Sequence, residues 1–162
     1  AFTGTVTGAG GVNTPAFFAS QTGDQTVSNE TTTKVAYSNE VYDVGGVYDP
    51  TTNYRFTPGF SGKSYIGASV WSYDASENLF DQQIELYKNG SSLVYTKTAT
   101  LSPYRVASLD SSINLVVAHN DTDYYEIYVR VRTTDSGDVK IPTGSGSATT
   151  FRNFFYGYKI IE

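Results

Sequence analysis

The chain of 162 residues is defined first by what it lacks. It contains no cysteine, so no disulfide stabilises the fold and no cysteine-ligated metal site can form. Leucine is scarce, and no segment keeps a helical period of apolar residues for more than two turns. No apolar run approaches the roughly 20 residues of a membrane-spanning helix, so we expect no membrane insertion. The sequence shows no basic region followed by an apolar stretch, which is the pattern of a signal peptide.

Positive charge is also sparse. Eleven residues are Lys or Arg, sixteen are Asp or Glu, and the formal net charge is −5. A surface that binds nucleic acid needs clustered cations. Arg130 and Arg132, two positions apart on a predicted strand, come nearest to such a cluster. We therefore expect no nucleic-acid partner.

Aromatic residues are abundant, with 14 Tyr and 9 Phe in the chain. Together with the many Ser and Thr residues they favour β-strands, because these side chains suit a pleated, half-buried surface. About ten short strands separated by turn residues predict an antiparallel all-β sandwich. The length predicts one domain, which we place at residues 15–162. The Gly- and Thr-rich residues 1–14 are interpreted as a flexible or attachment arm.

Two short patterns predict local structure directly. Asn89-Gly90 lies between two predicted strands and favours a type I′ hairpin, because that turn needs positive φ at both central residues. In the segment 63–73, apolar side chains alternate with aromatic ones. One face then points to the core, and the other carries Tyr65, Trp71 and Tyr73. The second face is too aromatic to stay in water, so we expect it to contact another subunit.

Several motifs, taken in order over residues 15–161, resemble the globular C1q domain of the C1q/tumour-necrosis-factor superfamily. The cysteine of that family is replaced here by Thr57-Pro58. The resemblance implies a ten-stranded antiparallel jelly roll that forms a homotrimer and acts in recognition rather than catalysis. The motifs that carry it are Pro15-Ala16-Phe17, Val47-Tyr48-Asp49-Pro50, Phe56-Thr57-Pro58-Gly59, the segments 84–90 and 123–129, and Phe155-Tyr156-Gly157-Tyr158.

The Cys-free composition, rich in Thr, Tyr and Asn, is most similar to versions of this domain in phage virions. The resemblance then implies a recognition module on the virion surface, such as a tail-fibre tip that binds a host surface receptor, with a glycan as one candidate. A capsid decoration or cement protein is the first alternative. A secreted, extracellular C1q-like ligand is the second. No receptor-binding residue is assigned.

The resemblance also implies which residues lie between subunits. It places the strands 63–73 and 124–133 and the closing strand in one inner sheet. Carboxylates such as Glu126 or Glu162, or aromatic rings, are then expected beside the two arginines. The predicted trimer interface consists of Tyr65, Trp71, Tyr73, Tyr128, Arg130, Arg132 and Phe155.

Candidate catalytic and metal-binding residues are few. His119 is the single histidine, and its polar neighbours predict a solvated turn residue rather than a triad member. Asp74, Glu77 and Asp81 are interpreted as an acid-rich loop. Asp121 and Asp123 lie in one turn and are the candidate Ca²⁺ ligands, because Ca²⁺ takes oxygen ligands from such loops. We otherwise expect no cofactor and no enzymatic activity.

Overall fold

The computed structural model describes residues 14–143 and 152–160. Within these ranges the chain forms thirteen β-strands and no helix, so nothing helical there could cross a membrane. The predicted arm lies outside the described residues except for Thr14. The strands are β1 (Ala16–Ser20), β2 (Gln25–Val27), β3 (Thr33–Lys34), β4 (Asn39–Val44), β5 (Tyr48–Asp49), β6 (Arg55–Phe56), β7 (Gly62–Tyr73), β8 (Leu79–Lys88), β9 (Ser92–Thr100), β10 (Ser108–His119), β11 (Tyr125–Thr133), β12 (Val139–Ile141) and β13 (Phe154–Lys159).

The strands form two antiparallel sheets that pack face to face. The first sheet has the order β2-β12-β7-β13-β1-β4, and β10 also pairs with β7. The second sheet has the order β5-β6-β11-β8-β9, and β3 also pairs with β11. Sequential strands often lie in different sheets, as in a jelly roll. The predicted all-β jelly-roll sandwich is confirmed, although the described residues form thirteen strands where ten are predicted.

The core between the sheets follows the two-residue period of the strands. Ile66, Ala68 and Val70 of β7 are fully buried. The opposite wall is formed by alternate residues of β8 and β11, including Ile84 and Ile127. Burying each such aliphatic side chain contributes about 1.5 to 3 kcal/mol. Rings fill one end of the core, where Phe17 packs against Tyr48, Phe56 and Phe155.

The predicted hairpin is confirmed. Asn89 and Gly90 have φ values of 56° and 72°, as the turn requires. Lys88 pairs with Ser92, so three residues connect β8 to β9, and the register shifts between Leu86 and Tyr87. The shift is a local irregularity that increases strand twist.

The predicted grouping of strands into one inner sheet is wrong. β7 and β13 lie in the first sheet, whereas β11 pairs with β8, β6 and β3 in the second. The alternation within β11 is as predicted, since Val129 and Val131 are fully buried. The alternation of side chains along a strand predicts which face each residue occupies. It does not predict which sheet the strand joins, because strand pairing depends on segments far apart in the sequence.

Candidate functional site

The outer face of the first sheet is covered with aromatic side chains, and we call it the aromatic face. Four strands contribute, because alternate residues of each strand point away from the core. Tyr65, Trp71 and Tyr73 of β7 lie on it, as the sequence predicts. The aromatic face consists of Phe18, Tyr42, Tyr65, Trp71, Tyr73, Phe154, Tyr156 and Tyr158.

The rings form a row across neighbouring strands. The ring centroid of Phe18 lies 6.2 Å from that of Tyr42 and 5.9 Å from that of Phe154. Tyr65 stacks on Tyr158 with centroids 5.3 Å apart. Such aromatic pairs contribute roughly 0.5 to 1.5 kcal/mol each beyond their burial. The row is therefore a pre-ordered apolar surface rather than a set of independent side chains.

Gly67 at the centre of β7 allows the ring of Tyr156 to lie flat on the sheet. A Cβ atom at Gly67 would come within 2.3 Å of the Tyr156 ring. The ring crosses over this glycine, and its hydroxyl donates a hydrogen bond of 3.0 Å to Asn114 on the far strand β10. Burial is the main cause that raises the pKa of Tyr156, to about 12. Because Gly67 has no side chain, the ring of Tyr156 can occupy this position on the aromatic face.

Parts of this face remain accessible in the single chain. Tyr42 is 49% exposed and Val116 of β10 is 52% exposed. Arg152 places its guanidinium 4.1 Å from the ring centroid of Trp71. Exposed aromatic and aliphatic side chains that lie together are typical of interaction sites.

A second apolar patch lies at the edge of the other sheet, and we call it the edge patch. Strand β9 is the last strand of the second sheet, so one side of its backbone has no neighbouring strand among the described residues. Nearly all of its side chains are exposed. The edge patch, on β9 and the loop that follows, consists of Leu93, Val94, Tyr95, Leu101 and Tyr104.

The prediction that Phe155 lies at a subunit interface is wrong. Phe155 is fully buried, and its ring contacts Phe17 at 4.9 Å between centroids. Its neighbours Phe154 and Tyr156 take the outward positions on β13. In a run of three aromatic residues the composition does not identify the inward one, and a shift of one residue exchanges the faces.

The predicted interface residues on β11 lie on the opposite side of the sandwich from the aromatic face. Tyr128, Arg130 and Arg132 point outward from the second sheet. Arg130 donates to the backbone oxygen of Glu30 at 3.1 Å, and Arg132 has an acidic partner on the adjacent strand. Carboxylates therefore lie beside both arginines as expected in kind, although Glu126 pairs with Lys34 and Glu162 lies outside the described residues. The seven predicted residues do not form one surface.

Ion pairs cover this outer face of the second sheet, which we call the ion-pair face. Arg132 contacts Asp81 at 3.1 Å and lies over the Phe80 ring. Lys34 pairs with Glu126. Asp81 and Glu126 are themselves buried, so each carboxylate keeps a cation of its own. Asp81 is therefore part of this network rather than of an acid-rich loop.

The predicted Ca²⁺ ligands do not converge on an open position. Lys88 contacts the Asp123 carboxylate at 2.6 Å, and the other donors are the backbone amide of Asn120 and the side chain of Asn89. Asp121 is exposed. The described residues contain no group of three or more His, Cys, Asp or Glu side chains suited to a metal ion. Ca²⁺ binding at Asp121 and Asp123 stays a prediction.

The prediction that His119 is a solvated turn residue is wrong. His119 ends β10 and is 6% exposed. Its Nε2 atom lies 2.9 Å from the Ser64 hydroxyl, and its Nδ1 atom lies 2.9 Å from the carbonyl oxygen of Phe60. A catalytic triad places a carboxylate at Nδ1, whereas here a backbone oxygen holds that position. Ser64 is fully buried, so the pair joins two strands inside the sandwich.

Comparison with known proteins identifies the fold. No family model matches the chain, and no curated protein matches it. Among solved structures, the globular domain of zebrafish complement 1qA is similar with a TM-score of 0.59 at 16% identity, covering 91% of this chain and 98% of that one. Murine APRIL gives a TM-score of 0.62 at 11% identity, covering 90% and 98%. Eiger TNF from S. frugiperda gives 0.59 at 12% identity, covering 91% and 92%.

These likenesses extend over nearly the whole of each chain. They show that the protein has the C1q/TNF-like jelly-roll fold, as the ordered sequence motifs predict. At identities below 20% the likeness concerns the fold alone. The function of such a fold depends on the surfaces of the individual chain.

Proposed function

We propose that the protein is a non-enzymatic, homotrimeric recognition module. The observation that carries this proposal is the aromatic face. An antiparallel sandwich usually leaves the outer face of a sheet polar and solvated, but here eight rings occupy it. A second copy of the chain is the occupant that we propose.

The edge patch supports a closed ring rather than a twofold dimer. A twofold dimer uses one self-complementary patch, whereas a cyclic trimer needs two different patches on each subunit. The chain offers two, and they lie in different sheets. Seven of the ten large exposed apolar side chains of the described residues belong to these two surfaces, and Val44 and Val116 lie beside the aromatic face on β4 and β10. We infer that the edge patch of one subunit packs against the aromatic face of the next.

Complementary variants test this arrangement. Trp71→Glu should damage only the aromatic face, and Tyr95→Glu only the edge patch, so each variant alone should sediment as a monomer. A mixture retains one intact pair of patches and should form a heterodimer. A self-complementary aromatic face would leave Tyr95→Glu associated by itself, and that result would overturn the ring.

The Ser64–His119 pair supports the absence of catalysis. A nucleophile must reach its substrate and must be assisted by a correctly oriented base. Ser64 is fully buried, and no carboxylate orients the histidine. Ser64→Ala should leave partner binding unchanged.

For the biological setting we propose the surface of a phage virion, with this domain at a tail-fibre tip and residues 1–14 as the attachment segment. The Cys-free composition and the resemblance to virion versions of the domain support this proposal. Purified trimer should bind host cells by itself. If it instead binds empty capsids and raises their disruption temperature, the protein is a capsid decoration protein. Binding to neither would favour a secreted ligand.

A further inference from the structure

The buried acidic side chains of the described residues differ in how their charge is compensated. Burial of an ionised carboxylate is costly unless a cation or hydrogen-bond donors accompany it. Four of the five acids meet this condition. Asp74 accepts hydrogen bonds from the backbone N–H groups of Ser76 and Asn78. The other three form ion pairs: Asp81 with Arg132, Asp123 with Lys88, and Glu126 with Lys34.

Glu85 differs from them because no cation pairs with it among the described residues. The Tyr87 hydroxyl lies close enough that, after burial, the Glu85 carboxylate is the next cause that raises the pKa of Tyr87. Glu85 lies in the middle of β8 on the ion-pair face and is 6% exposed. Its Oε2 atom is buried and accepts no hydrogen bond. Tyr128 and Thr96 are its neighbours on the adjacent strands, and neither carries a positive charge. One carboxylate of this face is thus left without a cation.

Two tyrosine rings lie beside this carboxylate. Tyr87 and Tyr128 are diagonal neighbours on β8 and β11, with ring centroids 4.7 Å apart and planes inclined by 55°. The face of a tyrosine ring attracts a cation electrostatically. Lys34 already lies 5.7 Å from the Tyr128 centroid, but its charge is paired with Glu126. The rings and Glu85 can therefore accept one further cation.

We propose that Glu85, Tyr87 and Tyr128 form a binding site for one cationic side chain, a lysine ammonium or an arginine guanidinium, of a protein partner. Charge complementarity selects this occupant, since a single uncompensated carboxylate matches a single positive charge. A divalent ion would need more oxygen ligands than the site supplies. The inference rests on the proposed recognition function and locates it on the ion-pair face, at the border of the edge patch, because Tyr87 is the cross-strand neighbour of Leu93.

The test uses the whole chain, with N-acetyl-lysine methylamide as probe and N-acetyl-norleucine methylamide as its uncharged control. The lysine compound should shift the backbone amide resonances of β8, β9 and β11 around Glu85, and the norleucine compound should not. Glu85→Gln keeps the shape of the side chain and should weaken binding by about tenfold or more, because charge-assisted contacts are lost. Glu30→Gln changes the net charge equally on the same face and should alter affinity less than about twofold.

Three results would overturn the site. These are unchanged affinity in Glu85→Gln, equal binding of the norleucine compound, or a clearly lower melting temperature of Glu85→Gln, since removing an unpaired buried charge should not destabilise the fold. Sedimentation of the same samples separates this proposal from the trimer. Loss of assembly in Glu85→Gln would mean that a neighbouring subunit supplies the cation, contrary to the proposal. A monomeric wild type that still binds the probe would overturn the trimer alone.

Discussion

The two outer faces of the sandwich have the same backbone pattern and opposite chemistry. On the aromatic face, alternate positions of β7 and β13 carry Tyr, Trp and Phe. On the ion-pair face, alternate positions of β8 and β11 carry carboxylates, arginines and two tyrosines. The inward positions of both sheets are similarly apolar. The inner positions therefore determine that a sandwich forms, and the outer positions determine what each side contacts.

The largest expected effect concerns Trp71. Trp71→Ala should weaken subunit association by roughly 2 kcal/mol or more, about 30-fold, because tryptophan is a typical anchor of interfaces between subunits. Tyr128→Ala removes a ring from the ion-pair face and is the matched control. Sedimentation velocity over a concentration series measures both. Equal effects of the two variants would contradict the assignment of different roles to the two faces.

Gly67→Ala should destabilise the aromatic face itself. The added methyl group would overlap the Tyr156 ring, and overpacking of this kind costs typically 1 to 3 kcal/mol. Chemical denaturation should show the loss. Combining the substitution with Tyr156→Ala removes the clash, so the double variant should lose less stability than the sum of the two single variants. If the two losses of stability simply add, the ring of Tyr156 does not cross over Gly67 as described.

On the ion-pair face, Arg132→Ala should lower the free energy of unfolding by about 1 to 3 kcal/mol, because Asp81 stays buried without its cation. Arg130→Ala is the control, since its partner Glu30 is exposed and their charged atoms are 3.9 Å apart. That loss should stay below about 1 kcal/mol. Neither substitution should change the oligomeric state, and dissociation of the trimer by either one would place this face between subunits.

The smallest effect depends on pH. Lys88, with the backbone amide of Asn120 and the side chain of Asn89, lowers the pKa of Asp123 to about 2. A depressed pKa contributes stability above the unfolded value, near 3.9, and this contribution is lost as the pH falls through the folded value. The difference in melting temperature between wild type and Asp123→Asn should therefore be largest at neutral pH and shrink between pH 4 and pH 2. A constant difference would contradict the lowered pKa.

Much of the fold could be predicted because local patterns determine it. The alternation in β7 assigned Ile66 to the core and Trp71 to the outside, and Asn89-Gly90 located a hairpin. The sheet that contains β11 could not be predicted in this way, since strand pairing joins segments far apart in sequence. The environment of His119 could not be predicted for a similar reason. Its partners, Ser64 and Phe60, lie on another part of the chain.

The aromatic face was only partly foreseeable. One strand, β7, carries Tyr65, Trp71 and Tyr73 at alternate positions, so the sequence alone predicts that they share a face. Phe18 and Tyr42 belong to two other strands, and their contact depends on the pairing of β1 with β4. β1 is apolar on both faces, so its sequence carries no alternation that could have assigned Phe18 to the outside.

The central claim is that the aromatic face is covered by another copy of the chain. Sedimentation equilibrium of the whole protein at micromolar concentration tests it most directly. We predict a mass three times the 17.7 kDa of the single chain. A mass of one chain at that concentration would contradict the account.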